Sequence, residues 1–373
     1  MSAPTAPLPA HGLRLRSVDA LRGFNMLWIV GAENIVESLR KITTTGAVGF
    51  VAYELDHSPW EGFRFEDLIF PLFLFLMGAV IPFSLSHTPD QTDRRAALKR
   101  IVTRAVLLYV IGVAYYGGFG DPVHQLRLVG VLQRIAACYL AAALAHLYLR
   151  PRTIAVACAA TLAAYWALLS FVPIPGMDHA SFAMNENWPN YIDAHFLPAR
   201  RWRGTWDPEG LLSTIPAIAT ALLGLFAGLL LQSGAVSAER KAMRLAAAGS
   251  MGVALGFLWA WQCPIIKNLW TPSYVLVSGG FSALLMALFY VVIDLQQHRR
   301  WAAPFLWIGA NALTIYLAVR IINVRALVEA VLRSPVMHGG LGSYNSVLAT
   351  SVALTVEVWA MAELYRRRIF WRL

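Results

Sequence analysis

The sequence predicts an all-α, polytopic membrane protein, a bundle of about ten transmembrane helices. Hydrophobic residues make up 58% of the 373 residues and charged residues only 14%, and the mean hydropathy is +0.55. A chain of this composition has too few polar side chains to cover the surface of a soluble protein. Apolar segments of spanning length recur along the whole chain, and basic residues cluster at the ends of alternate segments.

The apolar segments are each long enough to cross a bilayer as a helix. They are residues 20–38, 66–86, 101–118, 128–149, 153–172, 210–232, 243–262, 273–293, 304–322 and 346–365. No low-complexity tract or soluble-domain linker separates them. We therefore expect a short cytoplasmic N-terminal segment, residues 1–16, followed by a single transmembrane domain, residues 17–373.

Basic clusters follow every second apolar segment. They are Arg94, Arg95, Lys99 and Arg100; Arg150 and Arg152; Arg240, Lys241 and Arg244; Arg299 and Arg300; and Arg366, Arg367 and Arg368. Because basic residues are retained on the cytoplasmic side, these turns and both termini are predicted to be cytoplasmic. The net charge of +10 is then explained by membrane orientation rather than by nucleic-acid binding. The loops predicted on the opposite face are 39–65, 119–127, 173–209, 263–272 and 323–345.

The N-terminal region resembles a signal peptide because Arg14 and Arg16 precede an apolar stretch. No small-x-small cleavage site ends that stretch, and its removal would spoil the charge alternation, so we interpret it as the first helix. Cys138, Cys158 and Cys263 lie in or beside predicted helices without paired spacing. Neither a disulfide framework nor a zinc site is predicted.

His57 is the strongest candidate for chemistry, because it lies just ahead of the second apolar segment, in a predicted outer loop. A histidine titrates near neutral pH and can take or give a proton there. Glu33, at the outer end of helix one, and the adjacent Asp56 are candidates to orient the imidazole. Asn34 lies beside Glu33. The alternative for Glu33 is a carboxylate solvated at the membrane edge.

Ionisable residues within predicted spans are costly and tend to face a partner or a cavity. Asp19 and Arg22 are one helical turn apart, so they are expected to pair. Arg22 is also a candidate for an anion site on the inner face. Gln133 and Arg134 lie about one turn into helix four, where the alternative is a snorkelling arginine.

The long outer loop 173–209 is rich in groups that suit carbohydrates. They are Asn185, Asn187, Trp188, Tyr191, Asp193, Arg200, Arg201, Trp202, Arg203 and Trp206. Aromatic rings cover the apolar faces of a pyranose, while amides and carboxylates bind its hydroxyl groups. An aromatic belt at the membrane interface is the alternative for any single tryptophan.

Six sequence blocks, in order along the chain, carry a resemblance to a known family. They are residues 16–24 (RSVDALRGF), 57–63 (HSPWEGF), 67–75 (DLIFPLFLF), 130–134 (GVLQR), 207–212 (DPEGLL) and 267–273 (KNLWTPS). On these blocks the chain resembles the heparan-α-glucosaminide N-acetyltransferase family of membrane acyltransferases. It is most similar to the bacterial branch linked to N-acetylglucosamine use.

The resemblance implies acetyl transfer from cytosolic acetyl-CoA to the amine of a terminal glucosamine on the other side of the membrane. His57 matches the family's catalytic histidine. The family also places a polar side chain late in the first helix; human-type members have asparagine, and this chain has Glu33 with Asn34 adjacent. The resemblance further implies a bacterial inner membrane location and a homodimer.

Acetyl-CoA is too polar to cross a bilayer, so its pantetheine arm is expected to enter from a basic cytoplasmic mouth. The residues predicted to bind this donor are Arg16, Asp19, Arg22, Arg94, Lys99, Arg100, Arg104, Gln133 and Arg134. Those predicted to bind the acceptor are Asn34, Trp60, Asp67, Trp206, Asp207, Glu209, Lys267, Asn268 and Asn311. Of the residues in these two sets, Gln133, Asn268 or Asn311 is expected to stabilise the oxyanion formed from the thioester.

His57 is predicted to act as a general base for direct transfer, with an acetyl-histidine intermediate as the second route. A function of another class is also open, namely an inner-membrane permease for N-acetylglucosamine or a related amino sugar. A permease is commonly built on repeats and broken helices. The sequence shows only a short echo between the starts of helices two and six.

Overall fold

The computed structural model describes residues 15–40, 43, 45–85, 91–117, 125–198, 200–332 and 344–371. Within these ranges the regular structure is entirely helical. The α-helices are α1 (Arg16–Leu27), α2 (Glu33–Arg40), α3 (Gly46–Glu54), α4 (Phe65–Ser84), α5 (Gln91–Tyr115), α6 (Val131–Tyr148), α7 (Pro151–Phe171), α8 (Trp188–Phe196), α9 (Thr214–Gln232), α10 (Ala238–Trp259), α11 (Pro272–Phe289), α12 (Ala303–Ala310), α13 (Ala312–Ile322), α14 (Val324–Leu332) and α15 (Tyr344–Arg366). Two π-helical segments, Trp28–Ala32 and Tyr290–Leu295, join α1 to α2 and extend α11.

Seven helices in the described ranges are long and apolar enough to cross a membrane. They are Phe65–Ser84, Val131–Tyr148, Pro151–Phe171, Thr214–Gln232, Ala238–Trp259, Pro272–Leu295 and Asn345–Arg366. α12 and α13 together add an eighth if they form one span bent by 79°. The all-helical, membrane-embedded class is therefore confirmed. The predicted first and third spans are helical, as α1–α2 and α5, but they are not among these seven.

Several predicted boundaries and loops were wrong in the described residues. The third helix begins at Gln91 rather than at residue 101, because its basic first half is helical although it is not apolar. The outer loops contain three unpredicted helices, α3, α8 and α14. At α8 the cause is local: the Asn187 side chain caps the helix by accepting a hydrogen bond from the Asn190 N–H at 3.0 Å. Residues 1–14, 118–124 and 333–343 of the predicted segments lie outside the described ranges.

The predicted ninth helix is broken at Asn311, between α12 and α13. The Asn311 amide donates to the carbonyl of Ile369 at 3.1 Å, and its oxygen accepts from the Trp371 N–H at 3.2 Å. Both polar ends of the side chain are thus bonded to the C-terminal segment. Asn311 was predicted to contact substrate, and the structure instead places it at this packing junction.

The predicted pair of Asp19 and Arg22 is confirmed, with Arg22 Nη2 2.6 Å from Asp19 Oδ1. Arg22 Nε also donates to the carbonyl of Gly309 at 2.9 Å, near the C-terminal end of α12. A cation there is favourable because it interacts with the negative end of the helix dipole. A side chain on Gly23 or Gly309 would meet the facing backbone. These glycines let α1 and α12 approach closely.

The α4–α9 interface is also built on close backbone approach, at Gly78, Gly224 and Gly228. A Cβ atom at Gly224 would meet the carbonyl oxygen of Phe75, and one at Gly228 would meet that of Ala79. Small residues at such positions let membrane helices pack without side chains between them. This interface fixes α4, whose first turn carries Asp67, against α9.

Replacing Gly224 with alanine is expected to lower the free energy of unfolding by about 1–3 kcal/mol, because the added methyl group overpacks the interface. Thermal unfolding of the detergent-purified protein measures the change. Gly234→Ala is the matched control, since a Cβ there meets nothing within 4 Å. Equal melting temperatures for the two variants would contradict this account of the interface.

Candidate active site

Two distant loops converge on residues 57–64, between α3 and α4. The Gly62 N–H donates to the Ile265 carbonyl at 2.9 Å, which joins this segment to the loop that precedes α11. The Trp60 indole N–H donates to the Phe182 carbonyl at 2.9 Å, and its ring meets that of Trp206 edge-on at 5.6 Å between centroids. These contacts bring two distant loops onto the segment that carries His57.

His57, Asp67 and Lys267 form a compact cluster at this end of the bundle. Lys267 Nζ lies 3.0 Å from His57 Nδ1, and His57 Nδ1 lies 3.3 Å from Asp67 Oδ1. Lys267 Nζ is also 3.4 Å from the same carboxylate oxygen. The Asp67 side chain is 1% exposed, whereas that of His57 is 54% exposed. The buried Asp67 carboxylate thus contacts one edge of the His57 imidazole, and the rest of the ring is accessible to solvent.

Asp67 is fixed by the start of α4. Its Oδ2 accepts from the backbone N–H groups of Arg64 at 3.1 Å and Ser58 at 3.2 Å, and the bond to Arg64 satisfies the free N–H at the start of the helix. The backbone carbonyl of Asp67 accepts from the Tyr274 hydroxyl at 2.7 Å. A carboxylate in the first turn of a helix is also stabilised by the helix dipole. Asp67 is therefore a rigid partner for His57.

Asp67, rather than the predicted Asp56, is the carboxylate that contacts His57 in the structure. The Asp56 side chain is 55% exposed and faces Arg40 at 3.6 Å and Arg64 at 3.7 Å. Asp56 therefore belongs to a cluster of charged side chains at the surface. Glu33 begins α2, but its side chain lies outside the described part of the structure. The orienting role expected for Glu33 stays a prediction.

The two neighbours of His57 Nδ1 favour different tautomers. Asp67 accepts a proton carried on Nδ1, whereas the Lys267 ammonium donates to an Nδ1 lone pair. With the proton on Nδ1, the exposed Nε2 keeps a lone pair and can act as a base. With Lys267 bonded to Nδ1, a neutral ring carries its proton on Nε2 instead. The contact that Lys267 makes thus decides whether His57 can accept a proton.

A second cluster joins Arg127 to the block at 207–212. Arg127 forms a bidentate pair with Asp207, with distances of 3.0 and 2.7 Å, and contacts Glu209 at 2.6 Å. Its guanidinium stacks over the rings of Tyr116 at 4.4 Å and Trp202 at 4.9 Å. Burial opposes the charged form of Arg127, but the two carboxylates raise its pKa above the ordinary value. Burial also raises the pKa of Glu209, although nearby arginines oppose this.

Asp193, on α8, supports the turn that carries these carboxylates. Its side chain accepts from the backbone N–H groups of Asp207 at 3.1 Å and Leu211 at 3.0 Å. Burial raises the pKa of Asp193 in spite of these bonds. A side chain at Gly210 would collide with the Asp193 carboxylate. The predicted carbohydrate loop is therefore a packed structure with an internal polar network.

Gln133 and Arg134, predicted to bind the donor, lie in this same network. The Gln133 amide donates to the Arg127 carbonyl at 3.1 Å. Arg134 Nη2 donates to the Gly210 carbonyl and the Ser213 hydroxyl, and the guanidinium lies 4.9 Å over the Trp270 ring. Its Nε and Nη1 have no hydrogen-bond partner among the described residues. Arg134 thus stands at the start of α6, near the candidate active site.

The cations predicted to bind nucleotide phosphates form two separate groups. α1, with Arg16 and Arg22, packs mainly on α12, whereas α5 packs mainly on α6. The side chains of Arg16, Arg94, Lys99 and Arg100 are exposed. Arg104 lies over the Tyr139 ring at 4.8 Å.

The other predicted acceptor-binding residues are distributed more widely. Asn268 is half-buried in the turn beside Lys267. Asn34 accepts from Arg325 Nη1 at 3.3 Å, in contact with α14 rather than with His57. Trp206 is only 2% exposed, so its ring packs against Trp60 from the protein interior.

Sequence reasoning missed Arg127 and Tyr274 as parts of the site. Arg127 had one available signal, since it is a lone cation in an outer loop opposite the acidic block 207–212. Tyr274 follows the block that contains Lys267 and carried no signal of its own. Both act by positioning: Arg127 holds the carboxylates of the loop, and Tyr274 holds the backbone of Asp67.

Comparison with known proteins gives two results. Residues 14–117 match the model of DUF5009, a domain of unknown function. The heparan-alpha-glucosaminide N-acetyltransferases of Homo sapiens and Mus musculus are each 26% identical to the chain, over 427 and 421 residues. Each alignment covers 96% of this chain and 60% of the relative.

The fold and the cluster define a multi-pass, all-helical membrane protein with a histidine–aspartate–lysine site at one end of its bundle. The predicted resemblance to the heparan-α-glucosaminide N-acetyltransferase family is confirmed, and it extends over nearly the whole chain. The chain spans about 60% of the length of the curated relatives it matches.

Proposed function

We propose that the protein is a transmembrane acetyltransferase. It takes the acetyl group from acetyl-CoA on the cytoplasmic side and transfers it to the amine of a glucosamine-type sugar on the other side, in a bacterial inner membrane. The observation that carries the proposal is the contact of an accessible histidine with a buried carboxylate and a lysine. The resemblance to N-acetyltransferases supplies the class of reaction.

His57 is the general base of the proposed reaction. With its Nδ1 proton directed to Asp67, the exposed Nε2 removes a proton from the acceptor amine as the amine attacks the thioester carbonyl. The new C–N bond forms, the C–S bond breaks, and the sulfur leaves as CoA thiol. An ammonium acceptor loses two protons in total; one ends on the CoA sulfur and the other is released to solvent.

Asp67 acts by orienting His57, as a buried carboxylate does in hydrolytic triads. The positive charge that develops on the imidazole is stabilised by Asp67 at 3.3 Å. Lys267 balances the buried carboxylate in the resting site. When Lys267 turns from Nδ1 to the carboxylate or to the incoming oxyanion, Nδ1 is free to bond to Asp67.

Replacing Lys267 with methionine is expected to lower kcat by about tenfold to a hundredfold, because the oxyanion of the transition state then loses the cation that turns toward it. KM for the acceptor is expected to change much less. Initial rates at varied acceptor concentration measure both constants. Lys267→Arg should recover part of the loss, and an unchanged kcat in Lys267→Met would remove Lys267 from the proposal.

The acceptor is proposed to bind beside Trp60, whose ring is half-buried and rests against Trp206. An aromatic ring in this place suits the apolar face of a pyranose. The carboxylates of Asp207 and Glu209 are engaged by Arg127, so they shape the loop rather than bind the sugar directly.

An acetyl-histidine intermediate is the second route at the same site, because Nε2 could attack the thioester itself. Incubating the protein with acetyl-labelled CoA in the absence of acceptor separates the two routes. Label retained on His57 supports the covalent route, whereas a protein that stays unlabelled until acceptor is added, with the label then found on the sugar, supports direct transfer.

The proposed activity is tested with the purified protein, acetyl-CoA and glucosamine. Free CoA is expected only when both substrates are present, together with one acetylated amine per CoA released. If acetyl-CoA is not consumed while vesicles containing the protein take up N-acetylglucosamine, the protein is a permease and the proposal is wrong.

A further inference from the structure

A cavity of about 160 Å³ lies between the first π-helical segment and the helices α13, α14 and α15. Its polar lining consists of Asn34, Asn323, Arg325, Thr350 and Glu357. This volume exceeds what one water molecule needs. None of His57, Asp67 and Lys267 lines it, so the cavity is separate from the candidate active site.

Glu357 is the half-buried carboxylate of this cavity. It follows the start of α15 by 13 residues, which places it about 20 Å along the helix axis and in the middle of a membrane-crossing segment. Among the described residues its carboxylate has neither an ion pair nor a hydrogen bond. An acidic side chain at such a depth is costly unless it meets a cation or a polar group. The cavity therefore favours a ligand with a cationic end.

Arg325 provides the opposite charge, where α13 gives way to α14. Its Nε donates to Glu329 at 2.9 Å and its Nη1 to Asn34 at 3.3 Å, so the guanidinium is held in place. Its side chain is 33% exposed, and the neighbouring Asn323 is exposed. A cation thus stands at the mouth of the cavity and a carboxylate further along α15.

The surface beside this mouth is apolar. Ile321 is 79% exposed, Ile322 56%, Leu327 60% and Val331 62%, and these side chains lie at the end of α13 and on α14. On a membrane protein, exposed apolar side chains on a short helix suit contact with lipid chains. From the surface into the cavity, the protein thus presents an apolar face, then the Arg325 guanidinium and then the Glu357 carboxylate.

We infer that this cavity binds the phosphoethanolamine headgroup of a membrane phospholipid. Acyl chains would lie on the exposed face of α14, the phosphate would meet Arg325, and the primary ammonium would reach Glu357. A primary ammonium donates hydrogen bonds to a carboxylate, which a choline headgroup cannot do. A glycerol headgroup carries no cation for Glu357. The inference is independent of the proposed acetyl transfer.

Binding of short-chain phosphatidylethanolamine, phosphatidylcholine and phosphatidylglycerol to the full chain in detergent tests the inference by native mass spectrometry. Phosphatidylethanolamine is expected to bind most tightly. Glu357→Gln should weaken it by about tenfold, since one charged hydrogen bond is lost, and leave phosphatidylcholine unchanged. The matched control is Glu363→Gln on the same helix, because Glu363 pairs with Arg367 and does not line the cavity. Equal binding of the three lipids, or an unchanged preference in Glu357→Gln, would overturn the inference.

Two further arms identify the ligand class. Glucosamine that displaces phosphatidylethanolamine would show that the cavity takes the amino sugar, and soluble phosphoethanolamine binding as tightly as the lipid would show that acyl chains are unnecessary; either result overturns the lipid assignment. Arg325→Gln is the second variant and should weaken both phosphatidylethanolamine and phosphatidylglycerol. It keeps the test decisive if Glu357→Gln fails to fold.

Discussion

Replacing His57 with glutamine is expected to lower acetyl transfer by about 10²- to 10⁴-fold, the usual contribution of a general base. The loss is expected in kcat because glutamine cannot accept the amine proton, although it preserves a polar side chain of similar reach. The fold should be retained, since the His57 side chain is 54% exposed. Initial rates of CoA release measure the effect, and the melting temperature checks the fold.

His195→Gln is the matched control for this variant. His195 lies on α8, stacks on Tyr191 at 4.1 Å between ring centroids and is exposed. Its loss is expected to leave the rate within about twofold of the original, because it touches none of the proposed catalytic groups. A His57→Gln protein as active as this control would remove His57 from the chemistry and would leave neither the direct nor the covalent route.

The second large effect concerns stability. Arg127→Met is expected to lower the free energy of unfolding by about 3–5 kcal/mol, because it leaves two buried carboxylates without their cation. The Arg127 side chain is 6% exposed and that of Asp207 is fully buried. The melting temperature of the detergent-purified protein measures the loss. Because the network holds the loop that supports Trp60, acetyl transfer should fall as well.

Arg203→Met is the control for this variant, because Arg203 is exposed in the same loop. It removes a positive charge from the loop without removing a buried ion pair. A triple variant, Arg127→Met with Asp207→Asn and Glu209→Gln, is expected to recover much of the lost stability, because no unpaired charge then remains buried. If Arg127→Met unfolds at the same temperature as Arg203→Met, the buried network does not stabilise the loop.

The long apolar helices could be predicted from the sequence, whereas the short ones could not. A run such as Phe65–Ser84 carries its own signal, because only a helix satisfies its backbone inside a membrane. α3, α8 and α14 are 9 residues each and interrupt loops that also hold polar residues. The break at Asn311 depends on contacts with Ile369 and Trp371, nearly 60 positions away, which no local pattern reveals.

The candidate site was predictable in its chemistry but not in its contacts. His57 stood out because a titratable side chain precedes a membrane helix. Lys267 is 210 positions from His57, so its place beside the imidazole follows only from the packing of α4 against α11. Sequence proximity favoured Asp56 as the partner of His57, but the fold turns Asp56 to Arg40 and Arg64 and brings Asp67 to the imidazole.

The central claim is that two reactants from opposite sides of a membrane meet at His57, and sealed proteoliposomes test it most directly. Acetyl-CoA is supplied on the side of the basic clusters, such as Arg94 to Arg100, and glucosamine only on the other side, with His57→Gln vesicles as the control. The account predicts that acetylated glucosamine accumulates on the glucosamine side while CoA is released on the opposite side. Acetylation that occurs only when both substrates share one compartment, or equally well in His57→Gln vesicles, would contradict it.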